Sequence, residues 1–348
     1  MREDAHADES PQVTRNGLSR REVLGGAASA LALAACSSPG YADPVAQMDA
    51  SAPARAGMRA TTPSGTPAAT TTTVAAPTPT PTRPELPRGG RTVFPTYRLA
   101  GFCGHPGSPA LGKLGIGDLD ARVADIERVA GSYARDRAAL PVLELIATMV
   151  QSKPGQDGLY RLRTESSVID QHLDAARRHR AYLLLNIQPG RASFLDEVHA
   201  YEQWLTQPDV GVALDPEWAV GPGQVPGRVF GHIDTSMLNA VAEYVAGLVS
   251  SHDLPEKVVV YHQLTPAIVR REQDLRAFPG VAWVKSVDGI GAKADKVATW
   301  NRILGTTPRP LVHLGFKLFY DEDSKQGQLM TPDEVLALTP RPEYVMYE

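Results

Sequence analysis

Asp209–Asp215 reads DVGVALD, and residues 216–224 continue as PEWAVGPGQ. Strand alternation puts Val212 and Leu214 on one side and Gly211, Ala213, Asp215 and Glu217 on the other. The Val/Leu side suits packing against helices. The small side, ending in acids, suits the lumen of a barrel that opens upward. Asp215 and Glu217 would then reach the mouth together, their Cα atoms about 6.5 Å apart.

The same grammar repeats on both sides of this stretch. Apolar, β-branched-rich runs occur at 97–103 (YRLAGFC), 140–148 (LPVLELIAT) and 181–187 (AYLLLNI). They continue at 257–263 (KVVVYHQ), 281–287 (VAWVKSV), 310–318 (PLVHLGFKL) and 342–347 (PEYVMY). Between them lie stretches with helical apolar spacing. Asp234-Thr235 caps one that runs through Met237, Leu238, Val241, Tyr244, Val245 and Leu248. Eight strands and seven intervening helices predict an α/β fold, a (β/α)8 TIM barrel over residues 96–348 that lacks the last helix. An open doubly wound sheet is the rival, but no glycine-rich dinucleotide fingerprint follows the first strand.

Loop chemistry points to the working face. Helix-to-strand connections are plain: TQPD (206–209), AFPG (277–280) and GTTPRP (305–310). Strand-to-helix connections are longer and decorated, as in 150–163, 219–233 and 320–330. In barrel enzymes that carboxyl face carries the chemistry.

Polar residues collect where the strands end. Glu217 and Asp215 are candidate catalytic acids, because close like charges beside an apolar Trp218 raise one carboxyl pKa and make it a proton donor. Asp288, after strand six, is a third candidate. Gln188, Arg191, Lys285, Lys317, Tyr320 and Asp321 are candidate substrate contacts with Trp218. So are His262 and Gln263, although alternation leaves open which of the two faces inward. Glu144 lies deeper, sharing a side with Ile146 and Thr148, and reads as a buried ion pair with Lys285 or Lys317. No HExxH, His-x-His or Cys/His cluster occurs, so neither metal nor cofactor is expected. Gly104-His105-Pro106-Gly107 resembles the His-Arg-Gly start of glycerophosphodiester phosphodiesterases, but their Glu-x-Asp is missing from LELIATMVQ.

The chain has 348 residues, 43% hydrophobic and 21% charged, with net charge −4, so no basic field recruits nucleic acid. Residues 1–36 read as a targeting segment. Ser19-Arg20-Arg21-Glu22-Val23-Leu24 resembles a twin-arginine export signal, with Val23 where an aromatic is usual, so a Sec route stays open. The apolar stretch after it is below the roughly 20 residues that span a bilayer. It ends in Leu33-Ala34-Ala35-Cys36, which resembles a bacterial lipobox, and that resemblance implies a lipidated Cys36 and a membrane anchor on the extracytoplasmic face. Only Cys103 would remain, as a buried thiol. Residues 37–95 read as a disordered tether: between Thr61 and Pro84 ten of 24 residues are Thr and six are Pro. As a flexible coil the tether reaches on the order of 40 Å.

The LDPEW motif resembles the Asp-x-Glu that glycoside hydrolases of the lysozyme family 25 and chitinase family 18 types carry on strand four of a (β/α)8 barrel. The resemblance implies cleavage of amino-sugar polymers, with Glu217 as general acid and Asp215 as its helper. The chitinase signature also has Asp at the positions of Val210 and Ala213. Family 25 carries an aspartate on strand one, where this chain reads AGFCGHPG. The domain also resembles actinobacterial lipoproteins that share the DPEWAVGPGQVPG run. The expectation is a monomeric, surface-anchored glycoside hydrolase acting on an envelope or extracellular polysaccharide. The alternative is a glycan-binding lipoprotein on a barrel that has lost catalysis.

Overall fold

The computed structural model describes residues 83–348. The export signal, Cys36 and the tether up to residue 82 lie outside the described residues.

The barrel strands are β1 (Tyr97–Gly104), β2 (Ala138–Val150), β3 (Tyr182–Ile187) and β4 (Val210–Leu214), then β5 (Lys257–Gln263), β6 (Val281–Val287), β7 (Val312–Leu318) and β8 (Tyr344–Tyr347). All neighbours pair in parallel, and Leu99 of β1 pairs with both Tyr344 of β8 and Leu140 of β2, which closes the sheet. The expected (β/α)8 architecture is the observed one.

Alternation along each strand builds two apolar shells. Val210, Val212 and Leu214 face the helices, whereas Ala213 joins Leu184, Val260 and Val284 inside. Each fully buried Val or Leu contributes about 1.5–3 kcal/mol. Gly211 is required by crowding: a Cβ there would lie 2.6 Å from the Val258 carbonyl oxygen.

The outer layer holds α1 (Leu119–Ser132), α2 (Ser166–Arg178), α3 (Phe194–His199), α4 (Glu202–Leu205), α5 (Thr235–Ser251), α6 (Lys293–Leu304), α7 (Tyr320–Ser324) and α8 (Pro332–Leu336). Asp234 caps α5 by accepting from Ser236 N at 3.0 Å, and the helix buries Leu238, Val241, Val245 and Leu248. The expected helix between strands five and six is absent. Residues 264–280 instead form a two-residue strand, Val269–Arg270, paired with Ile233–Asp234, and a 3-10 turn, Glu272–Asp274. Thr235 Oγ1 donates to the carbonyls of Arg270 and Arg271, and Ile268, Val269 and Leu275 fill the shell where a helix would pack.

The amino end of the barrel is closed by residues that composition assigns to the tether. Leu86 and Val93 are buried with Tyr97, Leu99 and Leu140. Arg91 donates to the carbonyls of Pro84 and Leu254 at 2.6 and 2.8 Å, and Val93 N donates to Glu256 at 2.6 Å. Residues 83–95 are thus part of the barrel body.

Candidate active site

β4 stops at Leu214 because Pro216 cannot continue a ladder and instead opens a 3-10 turn, Pro216–Trp218. Trp218 N donates back to Asp215 O at 3.1 Å. Glu217 therefore reaches the lumen from a turn rather than from strand alternation. Its carbonyl accepts from Gly231 N at 2.6 Å, tying the 219–233 loop to the acid. Gly231 permits this contact, since a Cβ there would sit 2.1 Å from Ala219 O.

Asp215 is 4% exposed and accepts from Asn186 Nδ2 and Gln188 Nε2, each at 3.2 Å. Gln188 is itself oriented by Val150 N, which donates to its Oε1 at 3.2 Å. Glu217 is 8% exposed, and its buried Oε2 has no hydrogen-bond partner.

Behind this pair lies a line of charges. His262 Nδ1 is 2.8 Å from Asp288 Oδ2, and Nε2 is 3.1 Å from Glu144 Oε1 and 3.7 Å from Asp215 Oδ1. Neither Nε2 contact has hydrogen-bond alignment. Asp288 also accepts from Ser286 Oγ at 2.7 Å and lies 3.6 Å from Lys317 Nζ, which pairs with Glu348 as well. Glu144 accepts from Asn186 at 2.8 Å and from the Tyr344 hydroxyl.

Protonation follows from this geometry. Burial alone would raise the Glu144 carboxyl, but His262, Lys317 and Tyr344 outweigh it and hold the group at about 2. Asp288 is also lowered, because His262, Lys317 and Ser286 overcome its burial. Burial pushes Asp215 up. Burial together with the charges of Asp215 and Asp288 pushes Glu217 well above the usual carboxylate range. Among the described lumen carboxyls, Glu217 is thus the one placed to carry a proton. A buried neutral carboxyl with a free oxygen is equipped to donate that proton to a leaving group.

Several expected site residues lie elsewhere. Lys285 shares the outward side of β6 with Trp283 and Val287, and it donates to Glu272 at 2.9 Å outside the lumen. It is a structural ion pair there; Glu144 has His262 at 3.1 Å, with the charge of Lys317 also acting on it. Gln263 follows the outward alternation of Tyr261 and donates to Thr265 O at 3.1 Å, so of the two neighbours His262 is the lumen residue. Arg191 donates to Gln224 O at 2.7 Å and stacks on Tyr160, bracing the 219–233 loop. Tyr320 stacks on Tyr347, which faces the outer shell, with Asp321 exposed beside it. Trp218 is half-buried next to Glu217. A β-bulge after Ile146 swings Thr148 away from Glu144 to the Tyr201 hydroxyl, 2.8 Å away.

Sequence reasoning missed Tyr344, Ser286 and Glu348 as members of the cluster. Alternation with Met346 was the available signal for Tyr344. Cys103 is a buried thiol on the lumen side of β1, raised by burial. Among the described residues no group of three or more His, Cys, Asp or Glu side chains is arranged to hold a metal ion.

No family model matches the chain, and no curated protein does. Among solved structures, a GH18 chitinase from Pseudoalteromonas aurantia is similar over 72% of this chain and 93% of its own, at 13% identity and a TM-score of 0.34. A likeness of that size carries no argument about reaction or substrate.

Proposed function

We propose that this barrel is a glycoside hydrolase in which Glu217 protonates the leaving glycosidic oxygen. One observation carries the reading: Glu217 is buried with an unpartnered Oε2, and burial together with the charges of Asp215 and Asp288 pushes its carboxyl well above the usual range. Asp215 or Asp288 supplies the second carboxylate, as nucleophile, base or stabiliser of the oxocarbenium-like transition state. The half-buried Trp218 offers a face for a sugar ring, and the 219–233 loop forms the adjacent wall. Lipidation at Cys36 would hold the protein on the extracytoplasmic face of the membrane, within reach of envelope or extracellular polysaccharide. The lipobox resemblance is the support for that placement.

Turnover should need Glu217 protonated and its partner ionised. Activity therefore rises as the second carboxylate loses its proton and falls as pH passes the raised pKa of Glu217.

A second reading, glycan binding without catalysis, is favoured by how little of the acid pair meets solvent: Glu217 is 8% and Asp215 4% exposed. The two separate on Glu217→Gln assayed against a panel of envelope glycans. The hydrolase reading expects turnover to fall by about 10²–10⁴-fold with glycan binding retained. No cleavage by the wild type, with equal binding by both proteins, would leave the binding reading standing.

A further inference from the structure

The His262 imidazole has a carboxylate oxygen at each nitrogen: Asp288 Oδ2 at 2.8 Å from Nδ1, and Glu144 Oε1 at 3.1 Å from Nε2. A neutral ring bears a proton on one nitrogen and a lone pair on the other. One lone pair would then face a carboxylate at close range, with both His262 and Glu144 0% exposed. A second ring proton turns that repulsion into attraction, at Nε2 by proximity of charge rather than by an aligned hydrogen bond, and keeps both carboxylates ionised.

The groups facing the ring support this. Asp288 follows β6, Glu144 stands on β2 and Asp215 ends β4, while Lys317 on β7 is, among the described residues, the like charge that opposes them. Tyr344 on β8 donates to Glu144, and Cys103 on β1 is a neutral thiol. Burial works against the imidazolium, but Asp288, Glu144 and Asp215 together raise His262 well above its ordinary value.

We infer that His262 is a positioning residue, a buried imidazolium that locks Asp288 as the ionised second carboxylate and leaves Glu217 as the acid of the site. The role of Asp288 rests on the hydrolase reading; the charge of the ring does not. Asp288 Oδ1 accepts from Ser286 at 2.7 Å, while Oδ2 meets His262 at 2.8 Å and Lys317 at 3.6 Å. Asp215, in contrast, is held by two neutral amides at 3.2 Å. Charged donors favour the anion far more than neutral ones do. Asp288 is therefore the more firmly held anion, and its charge adds to that of Asp215 in raising Glu217.

The test uses the full-length protein with 15N-labelled histidine, its ring nitrogens followed by NMR from about pH 5.5 to about 9. The signal of His262 is identified by its loss in His262→Asn. Both nitrogens should remain protonated well above the ordinary value of about 6.5, whereas a ring that turns neutral near 6.5 overturns the inference. This arm needs no turnover, and His262→Gln serves for the assignment if His262→Asn does not fold. In the second arm, 13C-carboxyl titration of Asp288 should move up by about one pH unit or more in His262→Asn, and the acid limb of kcat/KM should move with it. A lowered kcat with both titrations unmoved would make His262 merely structural. Absence of turnover in the wild type with the carboxyl shift present would sink the hydrolase reading and leave the charge arrangement intact.

Discussion

Lys285 and Lys317 carry the same charge on neighbouring strands, and the two-residue period of a strand sends them to opposite sides of the wall. Lys317 stands 3.6 Å from Asp288 in the lumen, while Lys285 is spent on Glu272 beneath the outer layer. Lys285→Met should therefore cost about 3 kcal/mol in urea unfolding, because Glu272 is left buried without its cation. Ligand binding by the folded variant should be unchanged; wild-type stability with lost binding would contradict this assignment. Such sidedness was readable where one face is small and the other bulky, as in VGVAL before Asp215. It was not readable in KVVVYHQ, whose residues are large and buried on both faces, so that only pairing with the neighbouring strands decides between His262 and Gln263. Glu144 looked like a lysine's partner because two lysines were at hand. Its imidazole partner comes from a strand distant in sequence.

The element that delivers the acid is a turn with a loop folded back on it. Gly231 N donates to Glu217 O, and the approach of Gly231 to Ala219 leaves no room for a Cβ. Gly231→Ala should displace the loop at a cost of about 1–3 kcal/mol in stability. It should also weaken glycan binding or turnover more than a substitution of equal stability cost on α5. Equal losses from the two would mean that the loop does not position Glu217. The Gly/Pro punctuation of residues 219–233 made this loop visible in sequence, but nothing there announced the 3-10 turn that re-aims Glu217. Residues 264–280 show the opposite failure. Barrel regularity asks for a helix between β5 and β6, yet Ile268 and Val269 lie on an extended segment and Leu275 follows a 3-10 turn, packing as a cover. At the amino end, Leu86 and Val93 are isolated apolar residues in a Pro/Arg-rich stretch. Their plugging of the barrel depends on a cavity that no local pattern describes.

For the whole molecule, the buried charge balance ties stability to pH in two directions. Glu144, held at about 2 against an ordinary 4.5, contributes stability that is complete above pH 4.5 and lost as pH falls toward 2. Glu217, raised in the folded state, contributes stability that is complete below its ordinary value and lost as pH rises through its folded pKa. Unfolding free energy from urea titrations should thus drop on the acid side, and Glu144→Gln should shallow that drop. An acid limb unchanged by Glu144→Gln would mean that Glu144 is not the ionised partner of His262. Retention of a proton on Glu217 by the barrel can be read by a 13C-carboxyl NMR titration of Glu217 in the full-length protein. The midpoint should lie well above 4.5 and move down in Asp288→Asn as a negative neighbour is removed. A midpoint at or below 4.5, indifferent to Asp288, would contradict it.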